Sequence, residues 1–163
     1  MPAPIFEPVA PNDVVRRSVD LFRAQLEAPN RPPIALEIDL DPSTESIRAD
    51  GEQLGRVVQN LLLNAIDAMP DGGRLAVRTE RSGASFRLDI SDSGEGLTEE
   101  ERRRLFTPYY TTKQHGTGLG LAIVQSVVAD HFGKVWVQSA PGRGTTFHIE
   151  LPIGEPPPHE GEA

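Results

Sequence analysis

Cysteine is absent from the sequence. That single lack excludes disulfides, zinc–thiolate sites and thiol catalysis together, and it suits a cytosolic setting. Long apolar runs are missing too, so no stretch has the roughly 20 apolar residues that a membrane helix needs. The start, MPAPIFEPVAPND, has neither a charged leader nor an apolar centre and does not read as a signal peptide. Positive charge is scarce. Lys and Arg number 16 against 24 Asp and Glu, for a formal net charge of −8. The longest basic run is the triplet Arg102, Arg103, Arg104. A nucleic-acid backbone would find no basic face here. The triplet follows TEEE and reads instead as a helix whose acidic start and basic end suit its dipole.

What remains is ordinary in amount. The 163 residues suit one domain with a real core, and 37% hydrophobic with 25% charged residues is the composition of a soluble fold. Residues 1–4 read as a disordered lead-in, 5–153 as the folded domain, and the Pro/Gly/Glu-rich residues 154–163 as a disordered tail. No internal repeat is visible.

The apolar spacing of PNDVVRRSVDLFRAQLE predicts a helix capped by Asn12 or Asp13. PIALEIDL alternates as a strand. DGEQLGRVVQNLLLNAIDAM reads as a long amphipathic helix closed by PDGG, with the Val57, Val58, Leu61, Leu62 face against a sheet. RLAVRTERSGASFRLDISD reads as a strand pair turning at Ser82–Gly83. A short helix from Thr98, a poorly patterned stretch over 105–116, a helix over 117–132 and a closing hairpin, GKVWVQSAPGRGTTFHIELP, complete the chain. Trp136 and Val137 are expected in the sheet core. The order predicts an α+β fold: a two-layer α/β sandwich, with a mixed sheet covered on one face by three helices.

Four short constellations carry chemistry. Asn60 and Asn64 stand four apart, on one face of an otherwise apolar helix. Either both amides are buried against backbone, or an amide oxygen ligates a cation; a neutral oxygen suits Mg²⁺ that already carries phosphates. Asp92, Gly94 and Gly96 follow a strand, where Asp92 can accept from an exocyclic amine while the glycines allow a close approach to a flat ring. In isolation this is an unspecific loop pattern. Gly116, Gly118 and Gly120 then feed a helix, with Lys113 just ahead. No strand precedes them and no GK[ST] follows, so this is neither a dinucleotide fingerprint nor a P-loop. A flexible loop at a helix N-terminus, where free N–H groups favour an anion, is what remains. Gly142 and Gly144 flank Arg143 in what reads as a plain turn before Thr145.

Each piece is weak alone, but their order resembles the motif series of the sensor histidine kinase catalytic domain, of the gyrase/Hsp90/MutL-type ATPase superfamily. LFTPYYTTK and GTGLGLAIV are most similar to nitrogen-regulation-type kinases. The resemblance runs over about residues 5–153 and implies a Bergerat-type ATP-binding fold with ATP and Mg²⁺ as cofactors. It implies that Asn64 holds the metal, with Asn60 facing the same site, and that Asp92 accepts the adenine amine with Thr145 nearby through a water. Gly94 and Gly96 would let the backbone pass the base. Phe106 and Tyr109 would belong to a mobile lid over about 105–116, with Thr112 and Lys113 near the phosphates. Gly116, Thr117, Gly118, Leu119, Gly120 and Leu121 would shape the end of that lid and the following helix start.

Hydrolysing relatives carry a Glu about one turn before the metal-binding Asn. This chain has Asn60 there, and an amide is no general base. Poor hydrolysis, and transfer of the γ-phosphate to an external histidine, are therefore expected. None of His115, His131, His148 and His159 has the context of an acceptor histidine. The resemblance thus implies a separate histidine-bearing dimerisation domain as partner, a response regulator indirectly, and a larger parent that is cytoplasmic or membrane-anchored. The fragment itself is expected to be monomeric, without nucleic-acid or membrane contact. A nucleotide-sensing interaction module and an anti-sigma-type serine kinase are the competing readings.

Overall fold

The computed structural model describes residues 2–107 and 120–154. Five strands form a mixed sheet: β2 (Ile34–Asp39), β4 (Gly73–Ser82), β5 (Ser85–Asp92), β7 (Thr145–Pro152) and β6 (Lys134–Ser139), in the order β2-β4-β5-β7-β6. β2 pairs parallel to β4, and every other pairing in this sheet is antiparallel. Three helices, α1 (Pro11–Leu26), α2 (Gly51–Asp67) and α4 (Gly120–Asp130), cover one face. The short α3 (Glu99–Arg104) lies between β5 and α4 in the chain. The predicted sandwich is therefore the observed one. Among the described residues no helix is long and apolar enough to cross a membrane.

Alternation explains the sheet. Leu75 and Val77 on β4, Phe86, Leu88 and Ile90 on β5, and Phe147, Ile149 and Leu151 on β7 all point to the helical layer and are buried. Helix α2 supplies the opposing stripe with Leu54, Val57, Val58, Leu61, Leu62, Ala65 and Ile66. Burying each such side chain is worth about 1.5–3 kcal/mol. The start of α2 is set by Asp50, whose side chain accepts from the N–H groups of Glu52 and Gln53. Removing such a cap costs about 1 kcal/mol. Its end is set by the PDGG segment, where Gly72 takes φ 86°. Helix α3 begins with the expected Thr98, in a full capping box with Glu101.

Two expectations are corrected: the cap of α1 and the place of Trp136. Neither Asn12 nor Asp13 caps α1. The N-cap is Ala10, with Pro11 in the first turn, and Asn12 is turned inward to donate to the Asp41 carbonyl and accept from the Thr79 hydroxyl. The fixed φ of proline suits a helix start without a side-chain cap. Residues 7–9, within the expected folded span, form β1 (Glu7–Val9), antiparallel to β3 (Ile47–Ala49). The described part of the last helix is Gly120–Asp130, two residues short of its expected end; the expected positions 117–119 lie outside the described residues. Trp136 is not in the core. Register pairs it with His148 on the face away from the helices, where the two rings stack at 5.1 Å.

Candidate nucleotide site

The site grows from the end of β5. Asp92 is the last residue of that strand, and its register partner on β7 is Thr145. The side chains of such a pair share one sheet face, here the helical one. The Asp92 carboxylate accepts from the backbone N–H of Gly94 at 2.9 Å and from that of Thr145. Among the described residues it makes no ion pair. Burial is the dominant influence and raises its pKa above the ordinary carboxylate value, while the two N–H bonds pull the other way. A partly buried acid without a cation is an acceptor available to an outside donor.

The glycines after it are fixed by sterics. A Cβ on Gly94 would stand 2.4 Å from the Ala68 carbonyl oxygen, so only glycine lets this loop lie on the end of α2. Gly96 sits at φ 76°, and a Cβ there would stand 2.0 Å from the Ala140 oxygen. What their missing side chains admit in this structure is the chain's own backbone. The loop is tied further by Gly142 donating to the Glu95 carbonyl at 2.8 Å. The GRG turn, read from sequence as a turn alone, therefore backs the Asp92 loop.

Helix α2 connects this end of the site to another. Asn60, Asn64 and Ala68 follow at four-residue steps and form one row. Ala68 meets the Asp92 loop. Asn60 meets the start of α4, where a Cβ on Gly120 would stand 3.3 Å from the Asn60 amide oxygen. The row spans about 12 Å at the helical rise. Asn60 and Asn64 are half-buried, between the fully buried Leu61, Leu62 and Ala65. The row thus runs from a partly buried acid at one end to the first described residue of α4 at the other; a helix start favours an anion.

Of the other expected site residues, Phe106 is half-buried and sets its ring edge-on to Phe147 at 6.5 Å. Leu121 packs against the core. Tyr109, Thr112, Lys113, Gly116, Thr117, Gly118 and Leu119 lie outside the described residues. Ser139 was missed by the sequence reading. Its hydroxyl accepts from the Leu97 N–H at 2.9 Å and so joins the Asp92 loop to the hairpin. A serine at a strand end before a Gly-rich turn was the available signal. His131, just past the end of α4, bonds the Val127 carbonyl through Nδ1 and receives the Asp50 N–H on Nε2.

An acid at a strand end, an amide row on the covering helix and the start of the described part of α4 are groups that a nucleotide-binding α/β sandwich would use. The profile of the histidine kinase-, DNA gyrase B-, and HSP90-like ATPases matches residues 49–155, and the chain belongs to that family, as an ATP-binding catalytic domain of the two-component histidine kinase kind. It is 36% identical to the sensor histidine kinase ZraS of Escherichia coli (strain K12) over 91% of this chain and 34% of that protein. It is 34% identical to the nitrogen regulation protein NtrY of Azorhizobium caulinodans over 96% of this chain and 21% of that one. Among solved structures, the nucleotide-free catalytic domain of histidine kinase ThkA superposes with TM-score 0.82 at 29% identity, covering 92% of this chain and 97% of that one. The mycobacterial sensor histidine kinase MprB superposes with TM-score 0.79 at 35% identity, covering 91% and 97%. ThkA is also known in complex with the response regulator protein TrrA. The chain spans about a third or less of the length of ZraS and NtrY.

Proposed function

We propose that this domain binds Mg²⁺-ATP and passes the γ-phosphate to a histidine on a separate dimerisation domain, from which a response regulator is served. The observation that carries the reading is the partly buried Asp92, without an ion pair among the described residues, at one end of the Asn60–Asn64–Ala68 row. Its carboxylate would take the adenine amine, an acceptor meeting a donor. Thr145 stands beside it on the same sheet face.

The residues fit a metal that arrives with its phosphates rather than a resident ion. Among the described residues no three acids or histidines gather as a cage. The Asn64 amide supplies a neutral oxygen, which suits a hard cation already charge-balanced by phosphates. When bound, Mg²⁺ would neutralise phosphate charge during transfer. Lys113, and the α4 N-terminus at Gly120, would hold the same phosphates against a domain of net charge −8. Asn60 can hydrogen-bond a phosphate or a water, but it cannot take a proton from one. Positioning and charge neutralisation suffice for transfer to a strong external nucleophile, whereas hydrolysis lacks its base.

The test is a calorimetric titration with a non-hydrolysable ATP analogue, with and without Mg²⁺, followed by transfer of labelled γ-phosphate to the dimerisation domain of a relative. Micromolar binding and transfer are expected, with slow release of free phosphate in the absence of acceptor. Binding without any transfer would favour a nucleotide-sensing module. Turnover as fast as that of the hydrolysing relatives would refute the role given to Asn60.

A further inference from the structure

Ser139 ends β6, directly opposite Thr145 in register. Its hydroxyl oxygen has three neighbours at 2.9 Å: the Leu97 N–H, the Gly144 carbonyl oxygen and the Thr145 hydroxyl oxygen. Proton counting orders them. The Leu97 N–H can only donate and the Gly144 carbonyl can only accept, so the one proton of Ser139 goes to Gly144. For its own contact with Ser139, the Thr145 hydroxyl must then be the donor. Thr145 is 6% exposed, so its hydroxyl is not free to exchange this bond for one to bulk water. With its proton committed, Thr145 turns only lone pairs toward the site. Its cross-strand neighbour Asp92 offers carboxylate oxygens. Asp92 and Thr145 therefore both turn acceptors to the base end of the site.

We propose that Ser139 is a positioning residue that sets base specificity: by holding the Thr145 hydroxyl as an acceptor, it makes the site select a 6-aminopurine over a 6-oxopurine. The inference rests on the nucleotide reading above and deepens it. An amino group brings two protons, one for Asp92 and one for Thr145 directly or through a water. A 6-oxo group in the same place would set its oxygen against these two acceptors. Asp92 by itself would disfavour that arrangement; Ser139 removes the one hydroxyl that could turn and relieve it. The same serine anchors Leu97, and so the loop that carries Asp92, to the turn whose Gly144 packs on the Asp92 carbonyl.

The test compares dissociation constants of ATP and inosine triphosphate for the whole chain, in the natural form, Ser139→Ala and Ser139→Thr, with the melting temperature of each. In Ser139→Ala the Thr145 hydroxyl is free to rotate and donate. The preference for ATP over inosine triphosphate is then expected to fall about tenfold, the range for one rearranged hydrogen bond at a polar site. Ser139→Thr keeps the hydroxyl and is expected to restore the preference. Equal weakening of both nucleotides in Ser139→Ala would reduce Ser139 to a structural role and overturn the inference. An unchanged ratio with unchanged affinities would overturn it as well. If the natural chain binds neither nucleotide, the nucleotide reading itself falls and takes the inference with it. That result is distinct from intact ATP binding with an unaltered ratio.

Discussion

Strand β5 carries two aspartates three residues apart, and they lie on opposite faces of the sheet. Asp92 points to the helices. Asp89 points away from them and is enclosed in side chains. Arg87 donates to it through Nε at 3.0 Å, and His148 contacts it through Nδ1. The other ring nitrogen of His148 meets Gln138 at 2.8 Å. Trp136 stacks on that imidazole and carries the Arg87 guanidinium 5.1 Å from its ring centroid. Every charge in this group is answered within the chain. Asp92 has backbone N–H groups and, among the described residues, no cation. The contrast separates two uses of an acid: one closed into a structural network, one left as an acceptor for something from outside.

Exchanging the acid proposed to meet the base should produce the largest effect. Asp92→Asn is expected to lower ATP affinity about 100-fold, from the loss of a charged hydrogen bond worth about 1.5–3 kcal/mol and the amide's wrong polarity. Its melting temperature should match or exceed that of the natural chain. The amide oxygen can still accept the Gly94 and Thr145 N–H groups, and a desolvated charge is gone. A large drop in melting temperature would place Asp92 with Asp89 as structural.

Emptying the opposite face tests the converse. His148→Ala removes the contacts to Asp89 and Gln138 and the stack under Trp136. A loss of about 2–3 kcal/mol in stability is expected by denaturant unfolding, with ATP affinity within about twofold. A tenfold loss of affinity would mean that the two faces are coupled.

A smaller effect distinguishes the two ends of the amide row. Asn64→Ala is expected to weaken ATP binding about tenfold in Mg²⁺ and hardly at all in its absence. Calorimetry in magnesium and in a chelator reads both numbers, and equal losses would remove the metal role.

The smallest effect is in pH. Burial raises the Asp92 pKa above its ordinary value, so the folded chain holds that proton more tightly than the unfolded one. The stability this contributes is complete below the ordinary value of 3.8 and is lost as pH rises through the raised value. ATP affinity should run oppositely and fall as pH drops through that raised value, because the protonated form loses its charge and half its acceptor capacity. In Asp92→Asn both trends should vanish. Asp50 has the reverse sign. Burial alone would push it up, but the N–H groups of Ile5, Gln53 and Glu52 and the neighbouring His131 hold it below 3.8. Its cap should therefore weaken only under more acid conditions.

Much of this was legible in the order of residues because it depends on spacing. The alternation of Phe86, Leu88 and Ile90 names a strand and its buried face. The four-residue step from Asn60 to Asn64 puts two amides on one side of a helix, and the acid at the strand end is the proposed base end. These are one-dimensional patterns, set by a strand period of two and a helical period near 3.6. What the tertiary structure decided are pairings between distant segments. Asp50 meets His131 across 81 positions and Leu97 meets Ser139 across 42. Gly94 lies on Ala68, Gly96 on Ala140, and β1 finds β3. Trp136 shows the limit best, since alternation places it on one of two faces without saying which is covered. Only the packing of α1, α2 and α4 makes one face the core and leaves the other to a polar network, because local periodicity assigns a side chain to a face and long-range contact alone decides what that face meets.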